Sequence, residues 1–329
     1  MRQYIPFALS AVLLFSGSSL QARSGDTQYV MGFKIYGQQL IVVQGAIGSL
    51  PKRNFIIDTG AYPTVIDRDL AQRLSLTGHQ EQIDTVDRTL SGAGVTISDI
   101  EVGPIHATKV RGIVQDLSDV SKRAGVRIDA LVGLNVLAHS SFRIDYGKKI
   151  IVFGPVDPLP SSVPFHLANG RLCVDLQAAS KPVRMLIDTG AEKVVLLGSH
   201  VPWIASSDRA RAFTNLGGSF ALQEIRLDDL QLGDTILNRE VYLSAREIPV
   251  HSFDGFLSTI QFQQIALDFE RDQFAWMVKN DGKNRVHRAS MPKTTPPLAT
   301  ALADEISKPR HSVVEGCGDP ANSAACGLR

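Results

Sequence analysis

Two aspartates occupy the same short setting at two places in the chain. Asn54-Phe-Ile-Ile-Asp-Thr-Gly-Ala61 recurs as Arg184-Met-Leu-Ile-Asp-Thr-Gly-Ala191, and Ile-Asp-Thr-Gly-Ala is identical in both. Asp58 and Asp188 each end an apolar run, where an ionised carboxylate is costly to bury unless something donates to it or it shares a proton. Gly60 and Gly190 allow a tight turn that aims backbone N–H groups at such a carboxylate. The hydroxyls of Thr59 and Thr189 can tie two such turns together. If the two copies face one another, Asp58 and Asp188 cannot both ionise easily, and the pair shares one proton.

The residues around the motif repeat as well. Ile97-Ser-Asp-Ile-Glu-Val-Gly103 is matched by Ile225-Arg-Leu-Asp-Asp-Leu-Gln-Leu-Gly233, each an alternating strand closed by a glycine turn. Ile128-Asp-Ala-Leu-Val-Gly133 and Phe142-Arg-Ile-Asp145 are answered by Phe253-Asp-Gly-Phe-Leu-Ser258 and Ile265-Ala-Leu-Asp268. A duplicated unit of about 120 residues, rich in alternating Val, Ile and Leu and punctuated by glycine, predicts two similar β domains. Helix is scarce: the clearest candidates are Arg68 to Leu74 and short turns near Leu134 to Ala138 and Ile260 to Gln264. The proline-rich stretch Gly154-Pro-Val-Asp-Pro-Leu-Pro-Ser-Ser-Val-Pro164 reads as a stiff linker. The expected order is a leader over 1–22, a first lobe over 31–155, a linker over 156–164, a second lobe over 165–278 and a flexible polar tail over 279–329.

This duplicated pattern resembles the aspartic peptidases of the retropepsin and pepsin clan. The Asp-Thr-Gly-Ala form is closer to the retropepsin-like type, with two lobes in one chain in place of a homodimer. The resemblance implies an all-β fold of two pseudo-twofold-related β-barrel lobes with few short helices. It implies an endopeptidase acting on extended peptide or protein substrates, needing no metal and no cofactor. It makes Asp58 and Asp188 the catalytic dyad that holds the attacking water, one as base and the other as acid. Thr59, Gly60, Ala61, Thr189, Gly190 and Ala191 become the supporting loops. Leu131-Val132-Gly133 matches the family's segment behind the active-site loop, whereas its second copy, Phe256-Leu257-Ser258, has serine for glycine and could shift that loop. A substrate flap is expected at Ser91, Gly92, Ala93 and Gly94, with Gly217 and Gly218 as the second-lobe counterpart. Ala61 and Ala191 offer no hydroxyl to the ionised aspartates, so activity is expected at mildly acidic to near-neutral pH.

The competing reading is a catalytically silent peptide-binding protein on the same scaffold, motivated by Ser258 and by the unequal pairs Tyr62-Pro63 and Glu192-Lys193. A further arrangement would pair each lobe with its twin in a second chain; a monomer is expected instead.

Composition excludes other classes. Among 329 residues, 34 Lys and Arg balance 33 Asp and Glu, so no nucleic-acid-binding surface is indicated. Arg2, the apolar stretch Tyr4 to Phe15 and a small, polar segment ending at Ala22 read as a signal peptide, so export to a periplasmic or extracellular space is expected. No later segment is apolar for the eighteen or so residues of a membrane span. A small tail disulfide between Cys317 and Cys326 is expected, with Cys173 a buried thiol. The chain has no Cys-x-x-Cys, no His-Glu-x-x-His and no Gly-x-Ser-x-Gly, which argues against zinc and serine-hydrolase chemistry. Gly92-Ala-Gly94 lacks the third glycine of a nucleotide loop, and His139 and His200 are expected in turns or on the surface.

Overall fold

The computed structural model describes residues 27–84, 89–215, 218–237, 239–244 and 253–279. The expected leader, the tail with Cys317 and Cys326, and Gly217 lie outside them. The described chain is mostly β, with three short helices, as the alternating pattern predicts.

In the first half, the strand Leu50–Ile57 pairs antiparallel with Leu40–Ile47 and parallel with Ala130–Val132. Thr64–Asp67 lies between Ala130–Val132 and Ile105–Gln115, antiparallel to the former and parallel to the latter. The second half repeats these pairings. Lys181–Asp188 runs antiparallel to Arg171–Ala178 and parallel to Gly255–Ser258, and Val194–Leu197 lies between Gly255–Ser258 and Glu240–Ser244. The repeat extends to single hydrogen bonds. Asp129 Oδ2 accepts from the backbone N–H of Asn54 at 2.9 Å, and Asp254 Oδ2 from that of Arg184 at 2.8 Å, so each holds the middle of the strand that leads to an aspartate.

A third sheet joins the halves with three strands from each. Its order is Tyr29–Gly32, Ile150–Phe153, Phe142–Asp145, Phe262–Asp268, Gln273–Val278, Ser161–Pro164. The central seam pairs Phe142 with Leu267 and Ile144 with Ile265. The largest core cluster runs through this sheet into both halves, taking in Ile57, Val132, Ile187 and Leu257 together with Phe142, Phe262, Phe274 and Trp276. Trp276 is fully buried and its indole N–H donates to Thr235 Oγ1 at 3.1 Å. A buried side chain of that size contributes roughly 2–3 kcal/mol. The shared core makes the relative placement of Asp58 and Asp188 a property of packing, not of linker length.

Some local expectations change. The linker region is partly strand: Ser161–Pro164 pairs with Gln273–Val278 at the edge of the joining sheet. An edge position tolerates a proline that has no N–H to give. Arg68–Arg73 and Leu134–Leu137 are helical where expected, but after a turn at Ile260 and Gln261 the strand begins at Phe262. The helix Ser118–Ala124 was not expected. Its signals are slight: Val120 and Ala124, four apart, are buried, and Gly125 ends it at φ 67°. Cys173 is free and buried, and burial pushes its thiol pKa up to about 11.

Candidate active site

Each aspartate ends its strand at the point where the chain turns sharply. Asp58 Oδ1 accepts from the N–H groups of Gly60 and Ala61 at 3.0 and 3.2 Å. Asp188 Oδ1 accepts from those of Gly190 and Ala191 at 2.7 and 3.0 Å. The local turn therefore performs the same task twice.

The turns are locked across the halves by their threonines. The N–H of Thr59 donates to Thr189 Oγ1 at 3.0 Å, and that of Thr189 donates to Thr59 Oγ1 at 3.1 Å. Each hydroxyl then donates onward at 2.8 Å, Thr59 to the Ile187 carbonyl and Thr189 to the Ile57 carbonyl. Both threonines are buried and have donor and acceptor capacity used. Glycine is required beside them: a Cβ on Gly60 would lie 2.5 Å from Asp188 Cγ, and one on Gly190 would lie 3.0 Å from Asp58 Cγ.

Each carboxyl lies against the glycine of the opposite loop, close enough to its counterpart for the two to influence one another's titration. Both keep part of their surface on a cleft, yet dense surroundings make burial the largest upward cause on both pKa values. For Asp58 the charge of Asp188 is the second cause, and the value stands well above that of an ordinary aspartate. For Asp188 the N–H groups of Gly190 and Ala191 and the hydrogen bond from Asp58 pull back down. The two carboxyls therefore titrate as one coupled pair that keeps a proton to higher pH than a lone aspartate would. An acid and a base stand side by side on an open cleft.

Residues 43–136 match the aspartyl protease family model. The matched segment contains Asp58 and the glycine at 133, and the internal repeat extends its pattern to Asp188. No curated protein matches the chain.

Behind the loops, the matched segment has Gly133 where its repeat has Ser258. In the first half, the N–H of Leu134 donates to the Ala61 carbonyl at 3.0 Å, and a Cβ on Gly133 would meet that oxygen at 2.5 Å. In the second half Ser258 is accommodated: its Oγ donates to the Ala191 carbonyl at 2.8 Å. Behind it, the hydroxyls of Tyr146 and Thr259 are 2.6 Å apart and buried, and the N–H of Thr259 donates to the Asp188 carbonyl at 3.4 Å. Sequence reasoning missed the Tyr146–Thr259 pair, because the partners come from opposite halves.

The residues expected as a first flap lie in a paired strand. Ser91, Gly92, Ala93 and Gly94 sit within the strand Thr89–Val102, paired on one side with Gln82, Glu81, Gln80 and His79, and Ala93 and Gly94 pair on the other with Val114 and Ile113. A Cβ on Gly92 would come 2.6 Å from the Val114 carbonyl, so glycine serves close strand packing there, not a turn. Residues 85–88, between those two strands, lie outside the described residues. Gly218 pairs with Asn215 in the hairpin Ala210–Asn215 and Gly218–Arg226.

A cleft of about 450 Å³ opens over the dyad, a size suited to a ligand of several residues. Its first-half wall is aliphatic, with Ile56, Val65, Val120 and Leu131; its second-half wall is aromatic, with Phe213, Phe220 and Phe256. Charged residues on it besides the dyad are Arg123, Arg171, Glu192 and Lys193. These lining residues were not legible as a group in the sequence. His139 and His200 lie off the cleft, bonded to the Val136 carbonyl and to Asp254. Among the described residues, no cluster of His, Cys, Asp and Glu could hold a metal.

Proposed function

We propose that this chain is an aspartic endopeptidase that hydrolyses peptide bonds in extended polypeptides. One observation carries the reading: two carboxyls from separate repeats, each cradled by two backbone N–H groups, stand together at the floor of an open cleft. One aspartate, as carboxylate, takes a proton from the attacking water as the water oxygen bonds to the scissile carbonyl carbon, while the other, protonated, gives its proton to the carbonyl oxygen. In the collapse, the aspartate that gave its proton takes one back from a hydroxyl of the tetrahedral carbon. The C–N bond breaks, and the leaving nitrogen takes the proton held by the first aspartate. Each carboxyl returns to its starting state.

Strands lining the cleft favour an extended peptide whose alternating side chains enter the two walls. Because one chain supplies both aspartates, the site is complete in a monomer. The leader-like segment over 1–22 supports an exported protein. The silent-binder reading draws on Ser258, but its hydroxyl takes over a loop hydrogen bond and leaves the second aspartate as well cradled as the first.

The test is cleavage of a mixed peptide library by the purified protein across pH 3 to 8, alongside Asp58→Asn and Asp188→Asn. Loss of cleavage in each single variant supports one shared dyad. Peptide binding without cleavage at any pH supports the silent binder, and activity surviving either substitution refutes the shared site.

A further inference from the structure

The cleft carries more positive than negative charge outside the dyad, and one of its cations has no counter-ion among the described residues. Arg171 is half-buried on the cleft, at the first position of the strand Arg171–Ala178. Among the described residues it makes no ion pair; its guanidinium lies over the Phe253 ring, 5.6 Å from the centroid. The nearby carboxylates are committed elsewhere. Asp175 is held by Arg184 at 2.9 Å and faces His166 at 3.4 Å, and Asp254 accepts from the N–H of Arg184 at 2.8 Å.

The backbone beside Arg171 is fixed from the opposite half. Gly170, at φ 74°, is pressed so closely on the Tyr62 ring that a Cβ there would lie 2.5 Å from Cζ. Tyr62 also lines the cleft. The stacked ring and the fixed turn hold a planar five-donor cation in place with its hydrogen-bonding edge uncommitted, an arrangement suited to a carboxylate. Lys193, another cation of the cleft, already faces Glu240 at 3.5 Å.

We infer that Arg171 is a specificity residue that reads a carboxylate on the substrate, so that the preferred peptides carry an acidic group close to the cleaved bond. This rests on the peptidase reading and adds the substrate class. The carboxylate could belong to an Asp or Glu side chain or to a free C-terminus.

The experiment uses the full chain and peptide sets that share one apolar core. One set places Glu or its isostere Gln at each position around the core, with amidated C-termini. Another keeps the core neutral and compares free with amidated C-termini. For wild type, kcat/KM should favour the acidic member of one pair by roughly tenfold or more, as expected for a charge-assisted hydrogen bond. Arg171→Gln should reduce that ratio to about one, and Arg171→Glu should turn the preference toward Lys at the same position. The set that responds identifies the source of the carboxylate. No acidic preference in wild type, or one that survives Arg171→Gln, overturns the inference. If wild type cuts nothing, the peptidase reading fails by itself; the same pairs, labelled and read by fluorescence anisotropy, then decide Arg171 by whether a tenfold affinity preference exists and is lost in the variant.

Discussion

The Ser258 hydroxyl donates to the Ala191 carbonyl at 2.8 Å, serving in the second half the acceptor that the Leu134 N–H serves for Ala61 in the first. A side-chain hydroxyl thus stands in for a backbone donor at the position where the sequences of the repeats diverge. Both atoms lie in the densely packed region behind the aspartate loop. Ser258→Ala should cost about 1–2 kcal/mol by leaving that carbonyl unpaired, a loss that urea unfolding would read directly. A variant as stable as wild type would show that the bond contributes nothing.

The four threonine hydrogen bonds form a closed exchange between the halves. Thr59→Val removes the hydroxyl that accepts from Thr189 and donates to Ile187, and should cost about 2–3 kcal/mol. Thr189→Val should do the same. Because either loss loosens both loops, the double variant should depart from additivity by at least about 0.5 kcal/mol. Strict additivity in a double-mutant cycle would count against a joint lock.

Steric tolerance separates the site glycines from the rest. Gly60→Ala drives a methyl to within 2.5 Å of Asp188 Cγ, and should lower kcat/KM at least about 100-fold by displacing the carboxyl. Gly190→Ala, at 3.0 Å from Asp58 Cγ, should cost less. Gly32→Ala meets no atom within 4 Å and serves as the control, changing stability by less than about 0.5 kcal/mol. Equal activities for Gly60→Ala and Gly32→Ala would refute the assigned geometry.

Raised aspartate pKa values make two pH statements. Activity needs one proton on the pair, so the acid limb of kcat/KM should lie above the ordinary aspartate value of 3.8, and an optimum below about pH 3 would contradict it. In stability the sign is the reverse of a salt-bridged aspartate. Between 3.8 and the raised folded values the native state holds more protons than the unfolded chain, so this contribution is full below 3.8 and is lost as pH rises through the folded values. Asp58→Asn removes the burdened ionisation and should therefore be more stable than wild type at pH 7, with the gap closing toward pH 3.5. Urea unfolding at the two pH values checks this, and a gap that widens in acid would falsify it.

The sequence by itself determined what contiguous residues can specify. A strand ending in Asp-Thr-Gly-Ala writes its own turn, because the carboxylate, the glycine and the following N–H groups lie within four residues of one another. Repetition of that segment with its flanking strands was enough to expect two similar β halves, and the repeated pairings and the Asp129 and Asp254 clamps follow that pattern. Non-local contacts were decided only by the tertiary structure. Gly92 and Gly94 signal a turn when read locally, but the missing Cβ is needed for neighbouring strands that come from elsewhere in the chain. Ser161–Pro164 reads as linker until an unpaired strand edge captures it. Ser258 reads as a defect until the Ala191 carbonyl is placed above its hydroxyl. Tyr62 meets Gly170, and Tyr146 meets Thr259, only because a joining sheet and a shared core bring the halves together. Turn chemistry acts within a few residues and is legible along the chain, whereas packing and hydrogen bonds between distant segments depend on where folding brings their partners.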